Sequence, residues 1–354
     1  MSHAKIVHMT EDHLDMDALR EAGRILRAGG LVAFPTETVY GLGGNALDPS
    51  ASKKIYAAKG RPSDNPLIVH IAEFEDLAPL VKEIPDGALK LAAAYWPGPL
   101  TMIFNKSDIV PYETTGGLDT VAVRFPDNEI AREMIRQGGG YVAAPSANTS
   151  GRPSPTLASH VDEDLGDKID MILDGGQVNI GLESTIVDFT EDVPVILRPG
   201  FLNQEMLEEI LGEVRVDPGI MSENTHVRPK APGMRYKHYA PKGDLAIVEG
   251  KPEAVFSKIR ELTEARLAEG KKVGIICTEE SRSEYPWSKD QVDIRCIGSR
   301  ADDRTIAHHL YEILRDFDED GIDYMYTESF ETPRMGQAIM NRLIKAAGHE
   351  VIEA

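Results

Sequence analysis

The sequence predicts two α/β domains: a first with a sizeable mixed β-sheet, and a second, smaller one that is Rossmann-like. Apolar strand-like runs alternate with helical periodicity over residues 1–212, and the same alternation starts again at residue 244. The length of 354 residues also suits two domains of about 150 residues each. We therefore expect domains at 1–212 and 244–354, joined by a connector at 213–243.

Short apolar runs that end at Pro, Gly or polar residues predict the strands of the first domain. They cover 31–34, 66–71, 100–104, 121–125, 141–144, 184–189 and 195–197. Apolar residues at helical spacing predict helices at 14–28, 88–96, 129–137 and 203–211.

Strands and helices alternate more regularly in the second domain. Strands are expected at 245–248, 272–277, 292–297 and 324–327, and helices at 253–268, 303–317 and 336–347. Helices between successive strands indicate parallel pairing, so a three-layer Rossmann-like domain is expected.

Charge separates the connector from both domains. The chain has 38 Lys and Arg against 58 Asp and Glu, a net charge of -20, and the three segments carry -15, +3 and -8. An acidic chain is a poor general coat for nucleic acid, whose phosphates need a basic surface. Between residues 228 and 242 the connector has five Lys or Arg, no acid and three prolines, which predicts a basic, stiff segment.

Cysteine content and hydropathy indicate the compartment. Cys277 and Cys296 are too few for a disulfide framework or a Cys-based zinc site, so a reducing compartment is expected. No run approaches the roughly 18 apolar residues of a membrane span, and the N-terminus lacks the apolar core of a signal peptide. We expect a cytoplasmic protein that does not enter the membrane.

A glycine-rich segment, GLGGNA, follows the first predicted strand at residues 41–46. It fits the spelling of a dinucleotide fingerprint, but that fingerprint needs a strand directly before it and a helix directly after it. Residues 35–40 and 47–50 intervene, so we reject a Rossmann cofactor site here. Two interpretations remain for the whole cluster FPTETVYGLGGNA, residues 34–46: backbone amides and hydroxyls exposed beside a small ligand, or a plain glycine-rich turn.

Three further polar clusters lie on predicted loops at strand ends. Residues 59–66, KGRPSDNP, combine two cations, a hydroxyl and an amide with Gly and Pro, which suits phosphate oxygens. Residues 144–154 are rich in hydroxyls and amides, and Ser184 and Arg198 stand on the last two strands, where they are expected to meet. No GxxxxGK motif followed by Ser or Thr occurs, so a nucleotide would be held without a P-loop.

Together these clusters resemble the YrdC-like threonylcarbamoyl-AMP synthase family. The matching motifs, in order, are PTETVYGL, KGRPSDNPL followed by VHI, WPGPLT, VRFP, APSAN followed by SGRPSPT, LESTIVD and LRPG. The connector motif APGMRYKHYAP and residues 244–354 resemble the long form of the family, which has an extra C-terminal domain. The resemblance implies a YrdC-like twisted mixed-sheet catalytic domain followed by the Rossmann-like one.

The resemblance also implies the family's reaction, in which L-threonine, bicarbonate or CO2, and ATP condense to threonylcarbamoyl-AMP and pyrophosphate. The product would pass to the transferase complex that makes threonylcarbamoyladenosine in tRNA. Mg²⁺ is expected to arrive with ATP, without a metal site built from protein side chains. Stable direct binding of tRNA by this chain is not expected.

Candidate site residues follow from the same resemblance. The threonine pocket would be formed by Thr36, His70, Arg124 and Ser184. ATP would contact Lys59, Arg61, Ser63, Asn65, Thr120, Ser146, Asn148, Ser154, Arg198 and Tyr236, with Lys59 and Arg61 also catalytic. Arg124 suits the substrate carboxylate because a guanidinium binds it in a bidentate manner.

These residues predict catalysis by orientation and charge neutralisation, since neither cysteine lies in the clusters and no Ser-His-acid set is visible. The proton acceptor for the threonine amine stays open between His70 and water, and the connector is a candidate lid that shields the carbamate. The two cysteines exclude a carbamoyltransferase of the zinc-finger type. A double-stranded RNA-binding module of the same fold is the alternative, which the acidity of 1–212 disfavours.

Overall fold

The computed structural model describes residues 3–220, 230–232, 238–332 and 334–354. The chain divides into two compact units, Met1–Ser150 with Ser154–Tyr236, and Gly151–Pro153 with Lys237–Ala354. Each unit is built around one sheet, and the two sheets have eleven and five strands in the part of the chain that the structure describes.

The sheet of the first unit is mixed, as the sequence predicts. Its strands are hydrogen-bonded in the order β1-β8-β2-β3-β7-β4-β6-β5-β9-β10-β11, with parallel neighbours such as β4 and β6 and antiparallel neighbours such as β5 and β6. The bounds of these strands are β1 (Lys5–His8), β2 (Val32–Phe34), β3 (Gly41–Asn45), β4 (Ile68–His70), β5 (Leu100–Asn105), β6 (Thr120–Arg124), β7 (Val142–Ala144), β8 (Met171–Asp174), β9 (Thr185–Asp188), β10 (Val195–Arg198) and β11 (Arg215–Val216).

Capping residues set the ends of the helices in this unit. The side chain of Asp48 caps the start of α2 by accepting a hydrogen bond from the amide of Ser50. Gly60 ends the helix in the left-handed conformation, with a φ of 63°. Lys59 is thus the last residue of a helix, and its predicted place on a loop is wrong. The helices are α1 (Met16–Arg27), α2 (Pro49–Lys59), α3 (Asp86–Tyr95), α4 (Glu129–Gln137), α5 (Ala158–Leu165) and α6 (Gln204–Leu211), with 3-10 turns at Phe74–Leu80 and Pro218–Ile220.

Residues Gly41–Asn45 of this segment form a buried strand, β3, so a plain turn is the wrong interpretation for these glycines. Its backbone pairs with β2 on one side and β7 on the other. A Cβ at Gly41 would lie 2.9 Å from the ring of Phe34, and a Cβ at Gly43 would lie 2.8 Å from Val142. Glycine is needed here because neighbouring side chains fill the space that a Cβ would take.

The two faces of strands β4, β6, β5 and β9 carry different apolar clusters. The main core contains Val69, Met102, Val123 and Val187. The residues that alternate with them form a smaller cluster, which also contains Ala231 from the connector: Ile68, Ile103, Ala122 and Ile186. Because side chains alternate along a strand, the two clusters lie on opposite faces of the sheet.

The second unit has a five-stranded sheet in the order β14-β13-β15-β12-β16, and its strand pairings are parallel. A parallel sheet with intervening helices confirms the predicted Rossmann-like class. Its elements are β12 (Asp244–Glu249), α7 (Pro252–Ala268), β13 (Val273–Cys277), β14 (Asp293–Cys296), α8 (Asp303–Glu319), β15 (Tyr324–Glu328), α9 (Gly336–Ala346) and β16 (Val351–Glu353), with a 3-10 turn at Arg282–Glu284. Across the described ranges, no helix is both long enough and apolar enough to cross a membrane.

Candidate active site

One row of the first sheet carries several of the predicted site residues. His70 of β4 is level with Arg124 of β6, which is level with Thr101 of β5. Thr101 pairs with Ile186 of β9. Ile186 in turn pairs with Arg198 of β10, next to an irregularity in the pairing of these two strands. Residues that are level on adjacent strands point to the same face. Strand pairing therefore brings residues that are distant in the chain into one register row, on the face of the smaller apolar cluster.

His70 is a neutral hydrogen-bonding group in this row. Burial, followed by the positive charge of Arg124, lowers the pKa of His70 to about 3. Nδ1 of His70 lies 3.0 Å from the carbonyl oxygen of Ile68, and because a carbonyl only accepts, Nδ1 carries the hydrogen. Nε2 is then an acceptor. A group with so low a pKa is a weak base near neutral pH, so His70 is better suited to accept a hydrogen bond than to remove a proton.

Arg124 is buried beside a segment that sequence reasoning did not assign to it. Its Nη1 donates to Oγ1 of Thr38 at 2.9 Å, and its Nη2 lies 2.7 Å from Oε1 of Glu37. Both side chains of this ion pair are buried, with 5% and 7% of their surface exposed. Glu37 and Thr38 belong to the PTET motif, which was the available signal for them.

Thr36 uses its hydroxyl to shape the turn that carries Glu37 and Thr38. Its Oγ1 accepts hydrogen bonds from the amides of Thr38 and Val39, at 3.1 and 3.2 Å, and donates to the carbonyl of Val39 at 2.7 Å. The same oxygen lies 2.9 Å from Oγ1 of Thr38. Within the described structure, the hydroxyl of Thr36 therefore serves the turn.

Ser184 and Arg198 are in contact, as expected from their places on the last two strands. Nε and Nη2 of Arg198 donate to the carbonyl and the hydroxyl of Ser184, at 3.0 and 3.1 Å. The hydroxyl of Ser184 also lies 2.7 Å from that of Thr101, a residue of the WPGPLT motif. Nη1 of Arg198 donates to the carbonyl of Pro232 at 3.4 Å, so a described part of the connector reaches this cluster.

Lys59 joins two of the predicted clusters. Its side chain is 2% exposed, and its ammonium donates to the carbonyl of Ser146 at 2.6 Å and to the carbonyl of Asn148. It also lies 3.4 Å from Oδ1 of Asn148. Lys59 is therefore a buried cation that fixes the loop after β7, rather than a solvated one.

Arg61 fixes the second cluster from within. Nε and Nη2 of its buried guanidinium donate to the carbonyls of Asn65 and Pro66, at 3.2 and 3.0 Å. The side-chain oxygen of Asn65 is buried and has no hydrogen-bond partner among the described residues. Ser63, by contrast, is exposed and lines a surface hollow with Lys53 and Tyr112.

The remaining predicted residues differ in position. Ser154 is buried, and its hydroxyl donates to the carboxylate of Glu183, a residue that was not predicted but lies in the LESTIVD motif. Thr120 is half-buried at the start of β6, the end of the strand opposite Arg124. Tyr236 lies outside the described residues, as does most of the basic stretch of the predicted lid.

No metal centre is evident in the part of the chain that the structure describes. No three His, Cys, Asp or Glu side chains in those ranges are grouped so that they could hold a metal ion. The hydrogen bonds of Lys59 and Arg61 given above go to main-chain carbonyls and to the side-chain oxygen of Asn148.

Two family models match consecutive parts of the chain. Residues 24–200 match the Sua5, YciO and YrdC model, which is described as "Telomere recombination". Residues 202–348 match the model described as "Threonylcarbamoyl-AMP synthase, C-terminal domain".

Similar proteins cover nearly the whole chain. A threonylcarbamoyl-AMP synthase of Pyrococcus abyssi is 48% identical, over 98% of this chain and 99% of its own length. One of Bacillus subtilis is also 48% identical, over 94% of each chain. The crystal structure of P. abyssi Sua5 complexed with L-threonine has a TM-score of 0.91 and 47% identity, and it covers 100% of both chains. The alternative of a double-stranded RNA-binding module finds no support in these names.

Proposed function

The chain belongs to the Sua5 family of threonylcarbamoyl-AMP synthases, and we propose that its register row binds L-threonine next to an ATP site at Lys59 and Arg61. Relatives of this name at 48% identity make the chain an enzyme that forms an AMP-linked product, a nucleotidyltransferase. That product is the one used for threonylcarbamoyladenosine in tRNA. We further propose bicarbonate or CO2 as the third substrate.

Arg124 is the observation that carries the proposed threonine pocket. It is a buried guanidinium whose Nε completes no hydrogen bond to any described residue, and whose Nη2 lies beside the carboxylate of Glu37 without being aligned to donate to it. Native proteins rarely leave buried donors unused without a reason, and a carboxylate is the anion that a guanidinium fork fits best. The L-threonine complex of P. abyssi Sua5 supports an amino acid as the source of that carboxylate.

The neighbours of Arg124 suit the rest of a threonine molecule. Nε2 of His70 is an acceptor, and the hydroxyl of Ser184 is already oriented by Thr101 and Arg198. A neutral acceptor and a fixed hydroxyl can hold the substrate hydroxyl without adding charge. The methyl group of threonine would then face the apolar residues of the same sheet face, which include Ala122 and Ile186.

We assign the phosphates of ATP to the cluster around Lys59 and Arg61. Lys59 holds the carbonyls of Ser146 and Asn148 and brings a positive charge to the start of that loop. Arg61 and Arg198 supply the other cations, and the buried oxygen of Asn65 is an acceptor for a donor group of the nucleotide rather than for its phosphates. Ser63, Thr120, Ser154 and Tyr236 stay candidate ATP contacts.

Magnesium fits this proposal as a companion of ATP, because the described residues near Lys59 offer cations and neutral oxygens rather than a carboxylate cage. Bound to the phosphates, it would neutralise charge that develops on the leaving pyrophosphate. The residues of the chain would bind and orient the two substrates and exclude water from the carbamate. His70, with its low pKa, would orient the substrate instead of removing the proton from its amine.

The reaction itself is tested by the fate of isotope-labelled bicarbonate. ATP, L-threonine and labelled bicarbonate should give pyrophosphate together with an AMP-linked product that contains the label, as measured by mass spectrometry. Arg124→Ala should abolish the labelled product because the carboxylate partner is lost. Arg136→Ala is the matched control, since Arg136 forms exposed ion pairs elsewhere on this unit.

Two results would reject the proposal. One is pyrophosphate release that needs no threonine, and the other is a product without the label. Transfer to tRNA is a separate step: we propose that the product passes to a transferase complex, and adding that complex and tRNA to the same reaction should move the label into the tRNA.

A further inference from the structure

Glu37 is a buried carboxylate whose hydrogen-bonding capacity is not used. Its side chain is 7% exposed, and neither carboxylate oxygen completes a hydrogen bond to any residue that the structure describes. Nη2 of Arg124 lies 2.7 Å from Oε1 of Glu37, yet the two groups are not aligned as donor and acceptor. A carboxylate accepts about four hydrogen bonds, so Glu37 retains capacity for a cationic donor beside Arg124.

The main chain holds Glu37 in this place. Its carbonyl accepts the amide of Ile180 at 2.8 Å, and the carbonyl of Thr38 accepts the amide of Gly181 at 3.0 Å. The hydroxyl of Thr36 closes the turn from the other side. Glu37 is therefore preorganised, which lowers the entropic cost of binding a ligand.

The charges of Glu37 and Arg124 match those of an amino acid. An α-amino acid carries a carboxylate and an ammonium on the same carbon atom, and here a guanidinium and a carboxylate lie side by side. If each substrate charge binds the opposite protein charge, no buried charge is left without a partner. The pairing of Glu37 with Arg124 in the absence of substrate meets the same requirement.

We propose that Glu37 binds the ammonium group of the amino acid substrate while Arg124 binds its carboxylate. The pair would then select amino acids over hydroxy acids of the same shape. This inference rests on the proposed function, because it concerns the same threonine pocket. The simpler role, in which Glu37 only neutralises Arg124, predicts no discrimination based on the amine.

The test compares L-threonine with (R)-3-hydroxybutanoate, which keeps the methyl, hydroxyl and carboxylate groups and lacks only the amine. Binding of both is measured by calorimetry, directly or in competition, for the full chain and for Glu37→Gln. The natural chain should prefer threonine by at least about tenfold, the usual effect of one charge-assisted hydrogen bond. Glu37→Gln should weaken the binding of threonine and leave that of (R)-3-hydroxybutanoate unchanged, so that the ratio of the two affinities falls toward one.

Glu73→Gln is the matched control variant. Oε1 of Glu73 lies 2.7 Å from Nε of Arg136, the same separation as in the buried pair, but these side chains are 53% and 35% exposed. Loss of this pair should leave the preference for threonine unchanged, because exposed ion pairs contribute little and lie outside the pocket.

Four results separate the explanations. An unchanged ratio in Glu37→Gln overturns the role of Glu37, and so does tighter binding of both compounds, which would mean that Glu37 competes with the substrate carboxylate for Arg124. If Glu37→Gln does not fold, Glu37→Asp withdraws the carboxylate by one methylene group, and an unchanged ratio in that variant also overturns the proposal. Failure of the natural chain to bind threonine rejects the proposed function instead.

Discussion

The ammonium of Lys59 lies 2.6 Å from the main-chain oxygen of Ser146. One side chain thereby ties the end of helix α2 to the loop that follows strand β7. Lys59 consequently has two roles to separate, one in holding the loop and one in bringing charge to the proposed phosphate site.

Lys59→Ala should reduce both turnover and stability. Turnover should fall by at least about 100-fold, since a preorganised charge next to the phosphates is lost. The free energy of unfolding should fall by about 1–3 kcal/mol, since buried carbonyls lose a donor. Lys90→Ala, an exposed lysine on helix α3, should change neither quantity appreciably. Steady-state pyrophosphate release measures turnover, and urea unfolding measures the free energy of unfolding. Normal turnover by Lys59→Ala would show that Lys59 does not act on the phosphates.

Ser184→Ala should raise the KM for threonine and destabilise the sheet. The hydroxyl of Ser184 bonds to Thr101 and accepts from Arg198, so its loss leaves two buried groups with one partner fewer, at a cost of about 1–3 kcal/mol. Ser107→Ala is the control, because the hydroxyl of Ser107 bonds to the carbonyl of Pro79 instead. A variant with unchanged KM for threonine would show that Ser184 has a structural role only.

Threonine should be used at least about tenfold better than valine. Valine replaces the substrate hydroxyl with a methyl group, which leaves the acceptor Nε2 of His70 without a donor on binding. The hydroxyl of Ser184 would lose one proposed partner and keep Thr101 and Arg198. The values of kcat/KM for pyrophosphate release provide the comparison. Equal values for the two amino acids would contradict hydroxyl recognition by this row.

The free energy of unfolding should fall as the pH is lowered, because of His70. Its pKa is about 3 in the folded chain against 6.5 for the ordinary side chain, so below pH 6.5 the unfolded state binds the proton more readily and gains free energy relative to the folded state. Between about pH 7.5 and about pH 5.5, the natural chain should lose about 1.4 kcal/mol more than His70→Asn. Urea unfolding at the two pH values measures this difference. Equal losses of unfolding free energy by the natural chain and by His70→Asn would mean that the pKa of His70 is not lowered in the folded chain.

Lys230→Ala should leave the KM for ATP unchanged. Although the basic connector is a candidate lid, the ammonium of Lys230 lies 3.0 Å from Glu191 and 3.4 Å from Asp188. Because Lys230 is 43% exposed, the loss of these ion pairs should lower the free energy of unfolding by less than about 1 kcal/mol. A clear rise in the KM for ATP would show instead that this cation acts on the nucleotide.

The sequence could predict the parts of the site that depend on local pattern. Strands β4, β5, β6, β9 and β10 are apolar runs with clear ends, and they lie within one or two residues of the predicted runs or inside them. Strand β3 was missed because its glycines have weak strand propensity, and only the packing of Phe34 and Val142 explains them. Local pattern also placed Lys59 on a loop, since α2 has a weakly apolar face.

The contacts between distant residues could not be predicted in the same way. Glu37 and Thr38 reach Arg124 only because strand pairing fixes the position of Arg124 beside His70. The hydrogen bond from Lys59 to Ser146 likewise depends on where β7 and α2 end in space. Motifs identified which residues matter, whereas the register of the sheet decides which of them meet.

The register row also has a consequence for how the enzyme is made on the ribosome. Its members come from five strands, and the last of them, Arg198, is synthesised long after His70. A nascent chain that ends before β10 has the residues for His70, Arg124 and Thr101 but lacks the donor that orients Ser184. The binding pocket can therefore be completed only when almost the whole first unit has emerged, so partly synthesised chains should neither bind threonine nor consume ATP.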